Sequence, residues 1–358
     1  MVALKGVNKI RTPYKVWINF LKWTTAHGLP HVVRSHSSYR KVFWLLSAIM
    51  CLVGLIFQLE KIAVQFLTNP YAVSTYMEYA VELQYPAVTL CNLNPVRTSV
   101  LRQEAKTGGR LGNLLAQLYG KCENATEPKE ILANELMWSW LQFDDSAKAR
   151  LGHRIEDMLL GCTLHGQTCA PENFTLLFNS KYGNCYTIKP LASQIHKPGH
   201  SHGLTVELNI QQEEYLPVIA EAGVRVVITD HKSVPFPEDN GLSVSPGFYS
   251  AVGMSMVEIS RLGPPYKSNC TNGFPTLYTG YTTAGSGYNY TVHACMKSCV
   301  QTVTIEECGC SLMNCPNPNK TRLCAINTNS TDYECTQRMH RQLASRSYDA
   351  CSCPQRCR

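Results

Sequence analysis

The longest apolar stretch of the chain runs from Val42 to Leu59 and contains no charged residue. Eighteen helical residues at about 1.5 Å each span about 27 Å, which is close to the hydrocarbon thickness of a bilayer. Residues 62–67 can prolong the same helix. The pattern therefore predicts a first membrane-spanning helix over residues 42–67, with a buried core helix as the alternative.

After this segment the apolar positions first follow helical spacing and then alternate. Between residues 98 and 178 the spacing predicts helices with apolar faces at Leu111–Leu118 and Ile155–Leu159. Leu204–Ile210 alternates apolar and polar residues, which predicts a half-buried strand. Further strands are predicted over residues 88–91, 223–229 and 251–259. Helices followed by strands indicate an α+β fold.

The charges are distributed unevenly along the chain. Residues 1–41 contain eight Lys or Arg and no Asp or Glu, although the net charge of the whole chain is only +7. The excess of positive charge therefore lies entirely before the apolar helix, which argues against a nucleic-acid-binding body. By the positive-inside rule, residues 1–41 are expected to be cytoplasmic and residues 68–358 extracellular.

Cysteines and glycosylation signals agree with this orientation. Of the seventeen cysteines, Cys51 lies in the apolar helix and the other sixteen follow it, as expected for an oxidising compartment. Asn-x-Ser/Thr sequons, which predict N-glycosylation, all follow residue 67 as well. They are Asn124, Asn173, Asn269, Asn289, Asn319 and Asn329.

A set of short motifs occurs in a characteristic order along nearly the whole chain. Thr25-Ala-His-Gly28 precedes the apolar helix, and Tyr85-Pro-Ala-Val-Thr-Leu-Cys-Asn-Leu-Asn-Pro95 follows it. Later come Lys181-Tyr-Gly-Asn-Cys-Tyr186, Gln211-Gln-Glu-Glu-Tyr-Leu-Pro217 and the terminal Cys351-Ser-Cys-Pro-Gln-Arg-Cys357. With these motifs the chain resembles the superfamily of epithelial sodium channels, degenerins and acid-sensing ion channels.

The resemblance implies an amiloride-sensitive sodium channel subunit in the plasma membrane. Three identical or homologous subunits would surround a pore for Na⁺, with no cofactor and with a gating stimulus that the motifs do not reveal. The extracellular domain would consist of palm strands, a helical finger and a disulfide-stapled thumb. A second membrane helix carrying the selectivity filter is expected after Arg358, so residues 68–358 are interpreted as a truncated extracellular domain.

The resemblance also implies seven disulfides, which spacing alone could not assign. The implied pairs are Cys91–Cys185, Cys162–Cys169, Cys270–Cys357, Cys295–Cys353, Cys299–Cys351, Cys308–Cys335 and Cys310–Cys324. Cys122 and Cys315 are left over, and they either pair with each other or remain free.

Four residues are implied to act in gating. His27 and Gly28 match the family's cytoplasmic gating motif, and an ordinary surface loop is the alternative. Tyr266 matches an aromatic residue that contacts the top of the first membrane helix, here at Phe66, and an ordinary packed tyrosine is the alternative.

Other candidate sites have simpler explanations. His196, His200 and His202 could bind zinc or copper, but Lys197, Pro198 and Gly199 favour a solvated loop, and no metal site is predicted. Acidic pairs such as Glu156-Asp157, Glu213-Glu214 and Glu306-Glu307 could sense protons, but scattered solvated carboxylates are the better explanation.

Two functions outside the channel class remain as alternatives. A single-span membrane enzyme with the same topology is one, but no nucleophile or zinc-helix motif is present, so we predict that the protein is not an enzyme. A single-span protein with a ligand-binding extracellular domain is the other.

Overall fold

The computed structural model describes residues 13–25, 28–68, 73–79, 82–106, 129–188, 194–195, 199, 202–263, 266, 268–273, 288–317, 320–326, 329–345 and 351–357. The chain forms two compact units. The first comprises Met1–Ser74 with Pro265–Lys267, and the second comprises Thr75–Pro264 with Ser268–Arg358.

The described residues of the first unit form three helices, α1 (Pro13–Trp23), α2 (Leu29–Arg34) and α3 (Ser38–Leu67). α3 has thirty residues and includes the whole apolar segment predicted from the sequence. Its apolar side chains are exposed along its length, as for Leu46 at 60% and Val53 at 61%. Among the described residues it is the one helix that is long and apolar enough to cross a membrane.

The described part of the second unit contains ten strands, all paired antiparallel. They are β1 (Leu83–Gln84), β2 (Ala87–Asn92), β3 (Leu159–Leu164), β4 (Gln167–Thr168), β5 (Phe174–Asn179), β6 (Gly183–Ile188), β7 (Gln194–Ile195), β8 (Leu204–Leu208), β9 (Val224–Thr229) and β10 (Leu242–Val244). The main sheet has the order β10-β9-β2-β6-β5, and smaller sheets have the orders β4-β3-β8 and β1-β7. β2 is buried at every position because it pairs on both edges, which its β-branched and apolar residues favour.

Among the described residues, six further helices belong to the second unit. They are α4 (Thr98–Lys106), α5 (Lys129–Leu141), α6 (Asp145–Leu151), α7 (Ile155–Met158), α8 (Val292–Cys308) and α9 (Thr331–Ser345). The helices α4, α5 and α6 share a core around Leu101, Leu136, Trp140 and Leu151. The fold is thus mixed helix and sheet, in agreement with the predicted α+β class.

Two predictions of secondary structure are wrong. The helical pattern predicted up to residue 178 ends at Met158, because β3 pairs with β8 and β5 pairs with β6. The strand predicted over residues 251–259 is absent, because no described residue pairs with this segment. Its apolar side chains are consequently exposed, as for Met256 at 67% and Val257 at 77%. The predicted helix at Leu111–Leu118 lies outside the described residues.

Seven disulfides link described residues of the second unit, and they are the same seven pairs that the family resemblance implies. They join Cys91 to Cys185, Cys162 to Cys169, Cys270 to Cys357, Cys295 to Cys353, Cys299 to Cys351, Cys308 to Cys335 and Cys310 to Cys324. Cys315 has a free thiol, and Cys122 lies outside the described residues.

Candidate functional site

The segment before α3 folds back on itself at Gly28. Gly28 has a φ of 93°, a left-handed conformation that glycine adopts without steric cost, and it is the N-cap of α2. A Cβ at this position would lie 3.9 Å from the Cβ of Ala48, so the turn packs against α3. Two contacts hold the fold: the guanidinium of Arg34 donates to the Lys22 carbonyl at 2.5 Å, and the rings of His31 and Trp44 stack at 4.6 Å. His27 itself lies outside the described residues.

The other two predicted gating residues belong to the same unit. Phe66 lies in the last turn of α3 and is 77% exposed, and Tyr266 is 46% exposed. Tyr266 lies with α3 in the first compact unit, although its neighbours along the chain belong mostly to the second. A contact between the two rings stays a prediction.

α8 carries the disulfides that the resemblance assigns to the thumb. The helix starts where the Thr291 hydroxyl accepts a hydrogen bond from the Ala294 amide at 3.1 Å, and it ends at Gly309 with a φ of 64°. Cys295 and Cys299 are completely buried and lie four residues apart, which places them on one face of the helix. Their bonds to Cys353 and Cys351 therefore attach this face to the returning chain.

Sequence reasoning missed a buried polar network that centres on Asn94 and His153. The Asn94 amide nitrogen contacts the carbonyl oxygens of Val96 at 2.7 Å and Glu214 at 2.9 Å, and the Nε2 atom of His153 at 2.9 Å. The Nδ1 atom of His153 lies 2.8 Å from the Gln211 side-chain oxygen. The network joins residues up to 120 positions apart, so no local pattern could have revealed it.

The hydrogen bonds fix the protonation state of His153. The Gln211 oxygen can only accept and the Asn94 nitrogen can only donate, so Nδ1 carries the proton and Nε2 accepts. Burial lowers the pKa of His153 further below its usual value than its hydrogen bond to Gln211 raises it, and Arg97 lowers it as well. The imidazole is therefore neutral at physiological pH.

A second missed feature is an ionic cluster between α8 and the turn after β9. Lys297 is buried in α8, and its ammonium contacts Glu238, Asp239 at 2.9 Å and the Asn314 carbonyl at 3.3 Å. Burial lowers the pKa of Lys297, but the two carboxylates raise it more, so its pKa lies above the usual value.

Aromatic and amide groups complete this cluster. The Phe236 ring stacks on His293 at 4.4 Å and lies 4.9 Å from the Lys297 ammonium. His293 also contacts Asp239 at 2.8 Å. Asn179 donates to Glu238 at 2.7 Å, so the cluster ties α8 to the end of β5.

The structure describes only parts of the weaker candidate sites. No group of three metal-binding side chains occurs among the described residues. His196 and His200 lie outside them. In the acidic pairs, Glu156 contacts Arg154 and Asp157 contacts Arg97, each at 3.3 Å. Burial raises the pKa of Glu214, but its hydrogen bonds from Ser99 lower it more, which is opposite to the shift of a proton-sharing pair.

Four of the six sequons fall on described residues. Asn269 and Asn329 are exposed, and Asn173 and Asn289 are partly exposed, so each can be reached from solvent. Asn124 and Asn319 lie outside the described residues. Glycosylation at these sites stays a prediction.

Comparison with known proteins identifies a family match over most of the chain. A family model described as amiloride-sensitive sodium channel matches residues 20–358. The FMRFamide-activated amiloride-sensitive sodium channel of Cornu aspersum is 29% identical over 313 residues, which cover 83% of this chain and 48% of that protein. Acid-sensing ion channel 1 of Gallus gallus is 30% identical over 329 residues, covering 83% of this chain and 59% of that channel. Epithelial sodium channel subunit alpha of Neoceratodus forsteri is 25% identical over 430 residues, covering 95% of this chain and 63% of that subunit. The chain therefore spans about half to two thirds of the length of these relatives.

Proposed function

This chain belongs to the amiloride-sensitive sodium channel family, and on that premise we propose that it is one subunit of a channel that conducts Na⁺ across the plasma membrane. The family consists of ion channels, so the alternative of a single-span membrane enzyme is set aside. The proposal rests on one observation. The family match over residues 20–358 includes both α3, with its exposed apolar surface, and the disulfide-rich second unit.

The proposed topology has the N-terminus in the cytoplasm and α3 as the first membrane helix. Residues 1–41 carry all the excess positive charge, and every disulfide lies beyond α3. Basic residues are retained on the cytoplasmic side of a membrane and disulfides persist on the opposite side, so both features support this orientation.

The proposed assembly is a trimer of identical or homologous subunits. In each subunit the main sheet would serve as the palm, α4 to α6 as part of the finger, and α8 and α9 as the thumb. The disulfide bonds of α8 support the thumb assignment, because a helix attached at two points can move as one body.

The proposed gating elements are the turn at His27 and Gly28 and the pair of Tyr266 and Phe66. Gly28 packs against α3, so a change in the turn alters the surroundings of Ala48 in the membrane helix. Tyr266 would transmit movement of the second unit to the end of α3. The two contacts would act at opposite ends of one helix.

Whole-cell recording of the full-length subunit tests the proposal. Cells that express it, alone or with related subunits, should show a Na⁺-selective current that amiloride reduces. Surface biotinylation in the same cells supplies the control. Surface protein without any such current, across the subunit combinations, would contradict the channel assignment.

A further inference from the structure

The helix α1 presents a group of large aromatic side chains to its surroundings. No residue of Pro13–Trp23 is buried. Its aromatic side chains are exposed, with Tyr14 at 71%, Trp17 at 64%, Phe20 at 56% and Trp23 at 85%. Contiguous exposed apolar side chains mark interaction sites, and Trp and Tyr commonly supply most of the binding energy there. α1 is therefore a candidate interaction helix, and the proposed gating elements do not include it.

The charge of this segment narrows the class of partner. α1 contains Lys15 and Lys22 and no acidic residue, and residues 1–41 contain eight Lys or Arg and no Asp or Glu. The two lysines are seven residues apart, about two helical turns, so they lie on the same side of the helix. A basic helix with large apolar side chains is the pattern that anionic membrane surfaces and calmodulin-like proteins recognise.

The placement of the aromatic residues around α1 distinguishes between these two partners. Successive residues of an α-helix are about 100° apart around its axis, because about 3.6 residues complete a turn. Tyr14 and Trp23 are nine residues apart and hence lie on opposite sides of the helix. Trp17 and Phe20 lie between them on one flank, where their rings meet edge to face at 5.9 Å. A flat lipid surface takes up one side of a helix, whereas a protein with two lobes encloses the helix and contacts both sides.

The end of α1 is attached to the turn that precedes the apolar helix. The Arg34 guanidinium donates to the carbonyl of Lys22 at 2.5 Å, which holds the last turn of α1 beside α2. Gly28, with its φ of 93°, follows Trp23 by five residues. A protein bound to α1 would therefore lie directly beside this turn.

We propose that α1 is the recognition helix for an acidic, Ca²⁺-loaded EF-hand protein with two lobes. Tyr14 and Trp23 are its anchors on opposite sides of the helix, Trp17 lies between them, and Lys15 and Lys22 contact carboxylates of the partner. Binding requires Ca²⁺, because sensor EF-hand proteins expose their methionine-rich grooves only in the Ca²⁺-loaded form. The inference rests on the proposed cytoplasmic position of α1 and does not depend on ion conduction.

The probe is purified calmodulin, and its binding to the full chain in nanodiscs of neutral lipid is measured by biolayer interferometry. We expect saturable binding in Ca²⁺ that is lost when EGTA removes the ion. Tyr14→Ala and Trp23→Ala should each weaken binding about thirtyfold, which corresponds to about 2 kcal/mol for an aromatic anchor. Tyr39→Ala is the matched control, because Tyr39 is 82% exposed but lies on α3, and it should bind as the unmodified chain does.

Two further sets of variants separate recognition from folding and from charge alone. Trp23→Phe keeps a large aromatic ring and should recover most of the affinity that Trp23→Ala loses, at the same melting temperature. Lys15→Gln with Lys22→Gln should lower the association rate and weaken its dependence on salt. Lys61→Gln, at the other end of the apolar segment, should leave both unchanged.

Three results would overturn the proposal. The first is the absence of saturable calmodulin binding in Ca²⁺, and the second is binding that persists unchanged in EGTA. The third is quenching of Trp17 and Trp23 emission by brominated lipids in nanodiscs with phosphatidylserine, undiminished by Ca²⁺-calmodulin. Their emission is obtained by difference from the Trp17→Phe/Trp23→Phe variant, and this result would assign α1 to the lipid surface. An amiloride-sensitive Na⁺ current without calmodulin binding would remove this inference and leave the proposed channel function in place.

Discussion

Removing the Lys297 ammonium should open the junction between α8 and the turn at Glu238. In Lys297→Met the Glu238 carboxylate stays buried without its cation, because its side chain is only 11% exposed. Breaking a buried ion pair on one side commonly costs about 3–5 kcal/mol. Asp239 is 39% exposed and regains hydration by water, so losing its contact with Lys297 costs little. We therefore expect the junction to lose about 3 kcal/mol of stability.

The free thiol of Cys315 reports this opening. Burial raises the pKa of Cys315 to about 12, so the thiol is almost unreactive in the closed structure. On opening, its pKa returns to about 8.5 and the thiolate becomes accessible. When the junction recloses faster than the thiol is modified, the labelling rate follows the free energy of opening. A loss of about 3 kcal/mol in that free energy increases the labelling rate about a hundredfold.

The measurement is the rate of iodoacetamide modification of Cys315, read by peptide mass spectrometry of the folded full chain in a Cys51→Ser background. Lys181→Met is the control, because Lys181 is exposed and, among the described residues, its side-chain ammonium contacts only the Tyr182 ring, at 5.4 Å. Adding Glu238→Gln to Lys297→Met should restore part of the protection. A rate within threefold of the unmodified chain in Lys297→Met would refute the reasoning.

Three further predictions follow from the structure. Gly28→Ala places a side chain on a backbone with a φ of 93°, at a cost of about 1–2 kcal/mol. Single-channel records should show a changed open probability while surface biotinylation shows an unchanged amount of surface protein. Unchanged gating would contradict a role for the turn. Cys299→Ser and Cys351→Ser should each reduce surface expression, with a loss of about 2–5 kcal/mol, and a double variant worse than either single one would argue against their bond. Burial lowers the pKa of His153 in the folded state, so its contribution to stability is present above pH of about 6.5 and is lost as the pH falls below that value. The melting temperature of the unmodified chain should therefore fall more between pH 7 and pH 5 than that of His153→Gln, and equal slopes would rule out this contribution.

Local patterns predicted the elements whose stability depends on local or repeating features. The apolar segment of α3 and the strand at Val224–Thr229 both follow from the pattern of apolar residues along the chain. The motifs that carry the resemblance predicted the family, which the match over residues 20–358 confirms.

Features that depend on distant partners could not be read from the sequence. Phe174–Asn179 lies in a region of helical spacing and becomes β5 only because β6 pairs with it. Residues 251–259 have the alternation of a strand but no described partner. Lys297 stands between Met296 and Ser298, and nothing nearby in the sequence indicates that Glu238, 59 positions away, and the adjacent Asp239 would contact it. Tertiary contacts decided each of these cases, as expected where propensities are weak.

In the proposed membrane-spanning placement, the length of α3 has a consequence for the surrounding bilayer. Thirty helical residues measure about 45 Å, whereas the hydrocarbon layer is about 30 Å thick. Glu60 and Lys61 separate the long apolar segment from a second one at Ile62–Leu67. A thicker bilayer would draw this second segment into the hydrocarbon layer, and Lys61 would then extend its amine back to the headgroups. A thinner bilayer would leave Phe66 about 10 Å beyond the lipid tails. Lipid thickness is thus a variable that sets the depth of the aromatic residue at the end of the helix.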